Sequence, residues 1–547
     1  MLWTKQGSCT DFKSYVKEKT GVSFNDFVEA SGPFKIPEDF ANASGMIQNA
    51  VRDGRRILVF ADYDVDGICS GAEMCILLRA LGAKFMIHIP KRMSEGYGLS
   101  TSILDNAEPG SLLITVDNGI NAHDAVRAAK ARGLEVIILD HHELEGVPEG
   151  AASPDKCDHL HVPEADIIID PSVWTEGFDC TNYCGAGLVL KLSEVMLPNV
   201  IDNQMALDSI RSLAAVATVG DSVDVRSENR AIVLHGLDLM ERGMAQEGLS
   251  SMLDLLRTKQ VLSSSHIVTT KDIGFAIAPM INAPGRLFDN GGVQVEAALF
   301  EKDPAKRMAK MEELYEINEQ RKSLVKQFAE TCSPKGRKIA FLYNESIPQG
   351  ICGIIAGRLA EQMHKPAFVL AKAEGGRLKG SARAPEGVSL TEIIAAASPV
   401  VSGGGHAQAA GFECASGDED KAFALLEENA PEPGAENERC YDFELSSATL
   451  FQAYLDFAKI RYFGPGLPVP VMKMLVSPDN VQTLGKDKTH IRFRYANLGF
   501  VGFSLAAKYE SLGKPSAFYV YGKFDWNTFR GEQKIQIEVC DLESAWK

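Results

Sequence analysis

Three carboxylates alternate directly after an apolar segment near the beginning of the chain. Residues 57–61 are apolar, and Asp62, Asp64 and Asp66 follow at every second position, with Gly67 next. The apolar run is typical of a buried strand, and a glycine allows the sharp turn after it. Like charges this close are costly unless a cation neutralises them, and hard divalent cations prefer oxygen ligands. The segment therefore predicts a divalent metal site, with a solvated acidic turn as the alternative.

Two later segments repeat this plan of an apolar run that ends in acid. They are Asp117 after residues 112–116, and Asp140, His141 and His142 after residues 136–139. Residues 70–81 and 122–132 between these runs have helix-period apolar positions. Alternating strands and helices predict a parallel sheet, in which the carboxyl ends of the strands share one edge. The acids are therefore expected to converge in an α/β domain.

At these residues the chain resembles the DHH phosphoesterase superfamily, which is named for the Asp-His-His found here at 140–142. A fourth family motif is found in residues 213–224, which include Asp221. The resemblance narrows to RecJ-like single-strand-specific exonucleases through segments in the family's order: 92–98, 183–187, 281–287, 381–383, 403–411 and 463–470. Phe60 replaces a histidine of many relatives, so Asp62 is considered as a ligand in its place.

The resemblance implies two ions, Mn²⁺ or Mg²⁺, and a mixed oxygen and imidazole site suits these metals better than zinc. The implied ligands are Asp64, Asp66, Asp117, His141 and Asp221, with Asp62 as an additional candidate and Asp117 as a candidate bridge. The catalytic assignments are His142, Asp117 and Asp140, and His142 is expected to contact the scissile phosphate or orient the nucleophile. The expected chemistry is two-metal hydrolysis of a phosphodiester.

A second set of residues suits phosphate binding. The Gly-rich segment 403–405 can present backbone N–H groups, and arginine has a planar fork that matches phosphate oxygens. By resemblance, the substrate's phosphates and its 5′ end would be held by Arg92, Arg286, Ser381, Arg383, Gly404, Gly405 and His406.

The rest of the chain predicts further domains around this site. The predicted order is a helical lead-in (1–50), a DHH catalytic domain with a helical part (51–300), a connecting helix (301–333), a second α/β domain, DHHA1 by resemblance (334–430), and a C-terminal domain (440–547). The connecting helix is expected at 304–330, which is rich in charged residues and leucine. Alternating apolar residues after 440 predict short antiparallel strands in a small β-barrel, which the resemblance makes OB-like.

Composition favours an intracellular enzyme. The chain has 547 residues, 11 cysteines and a net charge of −17. We find no run of about 20 apolar residues and no apolar signal segment, so we expect a cytoplasmic protein that does not contact a membrane. The odd number of scattered cysteines favours reduced thiols. A zinc clip of Cys157, His159, His161, Cys180 and Cys184 is a weaker alternative.

The acidic charge opposes nucleic-acid binding at first sight, because phosphate binders usually have a basic face. Two bound divalent cations would, however, add four positive charges at the site itself. By resemblance we expect a 5′→3′ exonuclease that releases nucleoside 5′-monophosphates in DNA repair and recombination. It would act on single-stranded DNA as a monomer, with a single-strand-binding protein and a helicase as partners. The alternatives are a nano-RNase or cyclic-dinucleotide phosphodiesterase of the same superfamily, and a catalytically silent single-strand-binding scaffold.

Overall fold

A computed structural model gives the architecture of the chain. It describes residues 3–32, 34–92, 94–96, 98–99, 101–144, 162–174, 176–180, 182–197, 201–265, 267–331, 334–432, 439–485, 487–529 and 532–545. Within those ranges, no helix is both long enough and apolar enough to cross a membrane.

The amino-terminal region is mostly helical. Its elements are β1 (Trp3–Lys5), α1 (Phe12–Thr20), α2 (Phe24–Glu29) and α3 (Glu38–Arg52). Asp11 caps α1 and Ser23 caps α2, because each side chain accepts a hydrogen bond from the first turn.

A parallel five-stranded sheet follows. Its elements are β2 (Arg56–Ala61), α4 (Val65–Ala80), β3 (Lys84–His88), β4 (Leu112–Val116), α5 (His123–Ala131), β5 (Glu135–Leu139) and β6 (Ile167–Ile169). The strand order is β3-β2-β4-β5-β6, and every neighbouring pair is parallel. The central strands are almost wholly buried because both faces of the sheet are covered, which explains their continuous apolar sequences. The predicted parallel sheet is therefore confirmed.

Helices complete this first lobe. They are α6 (Gly185–Met196), α7 (Ile201–Gly220), α8 (Ser227–Glu241), α9 (Glu247–Thr258), α10 (Thr270–Asp272), α11 (Ala278–Leu287) and α12 (Gly291–Leu299). The predicted connecting helix is found as α13 (Pro304–Thr331), which contacts both α11 in the first lobe and the first helix of the second lobe.

The second lobe contains a mixed sheet. Its elements are β7 (Ala340–Tyr343), α14 (Cys352–Met363), β8 (Ala367–Lys372), β9 (Arg377–Arg383), α15 (Leu390–Ala396), β10 (Ser402–Gly405), β11 (Ala409–Ala415) and α16 (Glu419–Asn429). The order is β10-β11-β9-β8-β7, and only β7 and β8 are parallel.

The carboxyl-terminal region is the predicted β domain. Its elements are β12 (Arg439–Tyr441), β13 (Phe443–Leu445), α17 (Ser447–Ile460), β14 (Met472–Val476), β15 (Val481–Leu484), β16 (His490–Tyr495), β17 (Leu498–Gly502), α18 (Ala506–Ser511), β18 (Phe518–Phe529) and β19 (Glu532–Ser544). Seven strands form the order β13-β14-β18-β19-β17-β16-β15. The expectation that these strands are short and antiparallel is only partly right. β18 and β19 have 12 and 13 residues, and two of the strand pairs are parallel.

The two ends of the chain pack together. β1 pairs in parallel with β12, and the ring of Phe12 contacts Phe443 with a centroid distance of 5.5 Å. One continuous apolar core contains residues of the amino-terminal helices, the first lobe and the C-terminal domain. The C-terminal domain is therefore a packed part of the first lobe, whereas the second lobe has cores of its own.

Candidate metal centre and phosphate pocket

Three neighbouring strands end in acids at one edge of the parallel sheet. Asp62 follows β2, Asp117 follows β4 and Asp140 follows β5. All three side chains are buried. The parallel order of these strands brings the acids together, as the sequence predicts.

Asp64 lies at the beginning of α4, where it caps the helix. Its carboxylate accepts from the amides of Asp66 and Gly67 at 3.0 and 3.2 Å. An ideal Cβ on Gly67 would lie 2.4 Å from the carbonyl oxygen of Asp62, so the tight turn requires glycine here.

Asp66 lies in the first turn of α4 and is fully buried against the amino terminus of α6. Its carboxylate accepts from the amides of Gly185 and Ala186, the first residues of α6, at 2.6 and 2.9 Å. A helix amino terminus stabilises a carboxylate through these donors and its dipole. In the sequence, the segment 183–187 is recognised only through the family resemblance, and its contact with Asp66 is not predicted.

His141 connects the remaining acids. Its Nε2 lies 3.1 Å from Asp117, 3.6 Å from Asp66 and 3.9 Å from Asp221, which follows α7. The potential ligand atoms form three groups, and within each group they lie within 4.8 Å of one another. The groups are Asp62, Asp64 and Asp117; Asp66, His141 and Asp221; and Asp117, His141 and His142. The structure thus brings together all six predicted metal ligands. The first two groups have no residue in common, while Asp117 belongs to two groups.

The electrostatics of the cluster fit cations. Burial and the charge of Asp64 raise the pKa of Asp62 to about 7. Burial and the charges of Asp66 and Asp64 raise the pKa of Asp221 to about 8 and hold that of Asp117 well above its usual range. Oδ1 of Asp62 is buried without a hydrogen-bond partner among the described residues. This crowding of oxygens with one imidazole fits Mg²⁺ or Mn²⁺.

Asp140 has a different position from the other acids. It accepts from the amides of Ile120 and His141, and Nδ1 of His142 lies 2.7 Å from its Oδ1. Although burial opposes both shifts, this contact holds the pKa of Asp140 below its ordinary value and raises that of His142 to about 9. Asp140 is absent from the three potential ligand groups found in the described part of the chain. It contacts the backbone amides of both histidines and the ring of His142.

Three of the predicted phosphate-binding residues line one small pocket between the lobes. Arg92, Arg286 and Ser381 border a cavity of about 160 Å³. The guanidinium of Arg92 lies 4.8 Å from the centre of the Tyr63 ring, and Tyr63 stands between Asp62 and Asp64. The pocket is therefore adjacent to the metal-ligand segment.

Arg383 lies close to this pocket on the same strand as Ser381. A Cβ placed on Gly353 of α14 would be 3.1 Å from the Arg383 guanidinium and 3.5 Å from the Ser381 hydroxyl. Burial lowers the pKa of Arg286 to about 10, and the positive charges of Arg92, Arg321 and Arg383 contribute. Positive charges that converge in this way are suited to an anion.

Gly404, Gly405 and His406 are exposed in the hairpin of β10 and β11 and are not among the residues that line the pocket. The His406 amide donates to Ala409 within the hairpin, so it is not available to a phosphate. Strand register nevertheless places Gly404 opposite Gly411, and Gly411 opposite Ser381. The hairpin lies beside the pocket without forming its wall.

Several residues of the site were not predicted. Tyr63, Gln349 and Lys379 line the phosphate pocket, and Arg321 of α13 is near Arg286. Asp170 ends β6 in the same way that Asp117 ends β4, so the pattern of an apolar run followed by acid could have revealed it. Of the proposed zinc clip, Cys157, His159 and His161 lie outside the described residues, and Cys184 caps α6.

Comparisons with known proteins give a consistent result. Residues 56–219 match the DHH family, N-terminal domain; residues 336–431 match the DHHA1 domain; and residues 441–541 match the RecJ OB domain.

A relative in Salmonella typhimurium, described as single-stranded-DNA-specific exonuclease RecJ, is 32% identical over 408 residues. These are 70% of this chain and 67% of that protein. The crystal structure of RecJ in complex with Mn²⁺ from Thermus thermophilus covers 97% of this chain and 76% of that chain, with 24% identity and a TM-score of 0.76. The structure of RecJ from the same organism in complex with Mg²⁺ covers 97% and 74%, with 23% identity and a TM-score of 0.71.

Proposed function

The chain belongs to the RecJ family of single-stranded-DNA-specific exonucleases, and from this premise we propose that it hydrolyses single-stranded DNA with the help of divalent metal ions. One observation carries the proposal. Five carboxylates and His141 converge at a buried point beside a pocket lined by arginines. That arrangement combines metal ligands with a binding site for a phosphate chain.

The residues proposed to hold two ions are those of the two separate ligand groups. Asp62, Asp64 and Asp117 would hold one ion, and Asp66, His141 and Asp221 the other, with Asp117 as the candidate bridge. Mn²⁺ and Mg²⁺ are supported by the donor set and by the Thermus RecJ structures in complex with these two ions. Bound there, such ions would supply Lewis-acid activation of water and stabilise negative charge on the reacting phosphate.

The protein's own residues would orient the substrate phosphate. His142 has a pKa raised to about 9, so its imidazole is protonated near neutral pH and can donate a hydrogen bond to a phosphate oxygen. Because Asp140 engages Nδ1, that bond would come from Nε2. Asp117 would act at the metals, while Asp140 would hold His142 in place.

The arginine-lined pocket supports the proposed direction of cleavage. A terminal 5′ phosphate would be held by Arg92, Arg286, Arg383 and Ser381, with the hairpin of Gly404, Gly405 and His406 beside it. If the pocket holds this end while the adjacent phosphodiester lies at the metals, each cycle would release one nucleoside 5′-monophosphate. This geometry favours 5′→3′ digestion.

A groove in the C-terminal domain supports binding of the remaining strand. It has a volume of about 1090 Å³ and lies between α17 and strands β15, β16, β17 and β19. Phe451 is 69% exposed on this groove and lies parallel to Tyr454, with ring centroids 6.2 Å apart. Exposed aromatic rings can stack with bases. The groove gives the acidic chain a local surface suited to a single strand.

Two cations in the groove support contacts with phosphates. Arg492 donates to Gln482 and Arg494 to the carbonyl of Asn497, and neither forms an ion pair with a carboxylate of the described residues. The match to the RecJ OB domain favours an exonuclease over a short-substrate phosphodiesterase, which would not need this domain. Action as a monomer in the cytoplasm, a role in DNA repair, and association with a single-strand-binding protein and a helicase stay predictions.

Product analysis tests the proposed substrate and polarity. The purified protein with Mn²⁺ is given a 5′-phosphorylated DNA strand labelled at its 3′ end, the matching RNA strand, the duplex and a dinucleotide. We expect the labelled DNA strand to shorten stepwise with release of 5′-monophosphates, and the duplex to resist. Cleavage of the dinucleotide alone would favour the short-substrate enzyme, and binding without cleavage would favour the silent scaffold.

A further inference from the structure

A buried carboxyl group lies behind the Asp-His-His segment. Asp170 ends β6 and is 1% exposed, and its Oδ1 accepts from the amide of Ser172 at 2.9 Å. The Ser172 hydroxyl oxygen lies 2.6 Å from Oδ1 of Asp170 and 2.7 Å from the carbonyl oxygen of His142. Ser172 therefore connects Asp170 to the backbone of a proposed catalytic residue.

The number of hydrogens decides how this connection works. A serine hydroxyl has a single hydrogen, so it cannot donate to both oxygens. An ionised Asp170 would attract that hydrogen, leave the His142 carbonyl without it, and keep a charged Oδ2 buried with no partner among the described residues. A neutral Asp170 with its proton on Oδ1 can donate to the hydroxyl, which then donates to His142. Only the neutral acid satisfies both short contacts.

The surrounding charges agree with a neutral acid. Burial and the nearby charge of Asp140 hold the pKa of Asp170 well above its ordinary value. Asp140 already holds the His142 ring through Nδ1. The backbone of His142 is then held by Ser172 from the side of β6, and its ring by Asp140 from the side of β5.

We propose that Asp170 and Ser172 are positioning residues for catalysis, in which the neutral acid directs the Ser172 hydroxyl to the His142 carbonyl and so fixes the imidazole for contact with the substrate phosphate. This inference rests on the function proposed for His142. The contact from the Ser172 amide to Asp170 is by itself an ordinary local turn. The proposal rests on the other contact, from the Ser172 hydroxyl to the His142 carbonyl.

Three variants test the proposal by steady-state kinetics on 5′-phosphorylated single-stranded DNA with Mn²⁺. Ser172→Ala removes one oxygen and is expected to lower kcat about 10-fold, because small misplacements of a catalytic group are costly. KM and the affinity for Mn²⁺ should stay unchanged. Asp170→Ala should behave similarly. Asp170→Asn is neutral, and with its side-chain NH2 in place of the protonated Oδ1 it can donate to the Ser172 hydroxyl, so the hydroxyl hydrogen stays available to His142 and kcat should stay within about twofold of wild type.

Ser111→Ala is the matched control. Ser111 is also buried, at the opposite end of the sheet just before β4, and its hydroxyl has no hydrogen-bond partner among the described residues. It should not change kcat. If Ser172→Ala also leaves kcat unchanged, or if Asp170→Asn falls as far as Asp170→Ala, the proposal is wrong.

A readout without substrate separates this inference from the proposed activity. Nitrogen-15 NMR of labelled histidines, with His142→Gln for assignment, reports the His142 ring in the free protein. The His142 signals should shift in Ser172→Ala and remain in place in Asp170→Asn. An inactive wild-type protein with these NMR shifts would contradict the exonuclease proposal alone, whereas an active protein in which Ser172→Ala leaves the signals unmoved would contradict the positioning role alone.

Discussion

The amide of Gly185 donates to the carboxylate of Asp66 at 2.6 Å, so α6 begins in direct contact with the proposed metal centre. An ideal Cβ on Gly185 would lie 2.7 Å from Cβ of Asp117. A residue 119 positions from Asp66 along the chain therefore sets how closely the acids approach one another.

Gly185→Ala should weaken the metal centre, because the added methyl group would displace Asp117 or α6. We expect Mn²⁺ affinity measured by calorimetry to fall at least about 10-fold, in line with the effect of altering groups that orient metal ligands. Gly45→Ala is the control, since nothing lies within 4 Å of a Cβ at this position in α3. Equal affinities for both variants would show that the close approach of Gly185 to Asp117 does not affect Mn²⁺ binding.

Without metal, the protein should lose stability as the pH rises. The folded state raises the pKa of Asp62 to about 7 and of Asp221 to about 8, from an ordinary 3.8. Between the ordinary pKa of 3.8 and these raised pKa values, the folded protein holds protons that the unfolded chain releases, so a rise in pH favours unfolding. Thermal unfolding in EDTA should show Tm falling from pH 5 to pH 8.

Divalent cations should reverse this loss. At a fixed concentration one hundred times the Kd measured at pH 8, Mn²⁺ adds about 2.7 kcal/mol per site to the free energy of unfolding at pH 8. The same concentration should add less at pH 6, because binding requires ionised carboxylates. Asp221→Asn should flatten the pH dependence in EDTA and reduce the gain from Mn²⁺. A pH-independent gain would argue against carboxylate ligands.

Arg286→Ala should reduce the preference for a 5′-phosphorylated end. A charge-assisted hydrogen bond is worth about 1.5 to 3 kcal/mol, which corresponds to roughly a 10- to 100-fold loss in kcat/KM for the phosphorylated strand. A 5′-hydroxyl strand should be much less affected. Arg358→Ala, a partly exposed position on α14 whose partner is Glu330, serves as the control. An equal loss on both strands would show that Arg286 does not recognise the 5′ phosphate.

Substitutions in the C-terminal groove should change how binding depends on salt. The slope of log K against log salt is negative for a nucleic-acid complex. Each of Arg492→Gln and Arg494→Gln should make it shallower by about 0.7 for a long single strand, because each removes one phosphate contact. Lys514→Gln, outside the groove and paired with Glu510, should leave the slope unchanged. Fluorescence anisotropy with an inactive Asp117→Ala background measures these slopes. Identical slopes for all variants would show that the strand does not bind along the groove.

The strand-end acids could be predicted from sequence because their cause is local. Asp117 follows an uninterrupted apolar strand, and parallel strands bring their ends to one edge, so no distant contact has to be known. Asp221 ends a helix instead, and its place in the cluster was implied by resemblance. Arg92, Arg286 and Ser381 were also implied by resemblance, and the structure brings them into one pocket.

Other features depend on contacts between distant segments, which no local pattern records. Gly185 meets Asp66, and Ser172 meets the backbone of His142, only because the folded chain brings α6 and β6 to the same edge. The pairing of β1 with β12 joins segments at opposite ends of the sequence. His406 lies in the hairpin of β10 and β11, where the antiparallel turn uses its amide, and a Gly-rich sequence alone does not reveal this.

Release of mononucleotides from 5′-phosphorylated single-stranded DNA by wild type and Asp117→Asn, each with Mn²⁺ and with EDTA, tests the central claim most directly. Wild type should release them only with Mn²⁺, and Asp117→Asn should lose at least about 1,000-fold, because Asp117 belongs to two of the ligand groups. Circular dichroism should show the variant folded. Equal rates with EDTA, or a folded Asp117→Asn protein as active as wild type, would contradict a metal-dependent reaction at this site.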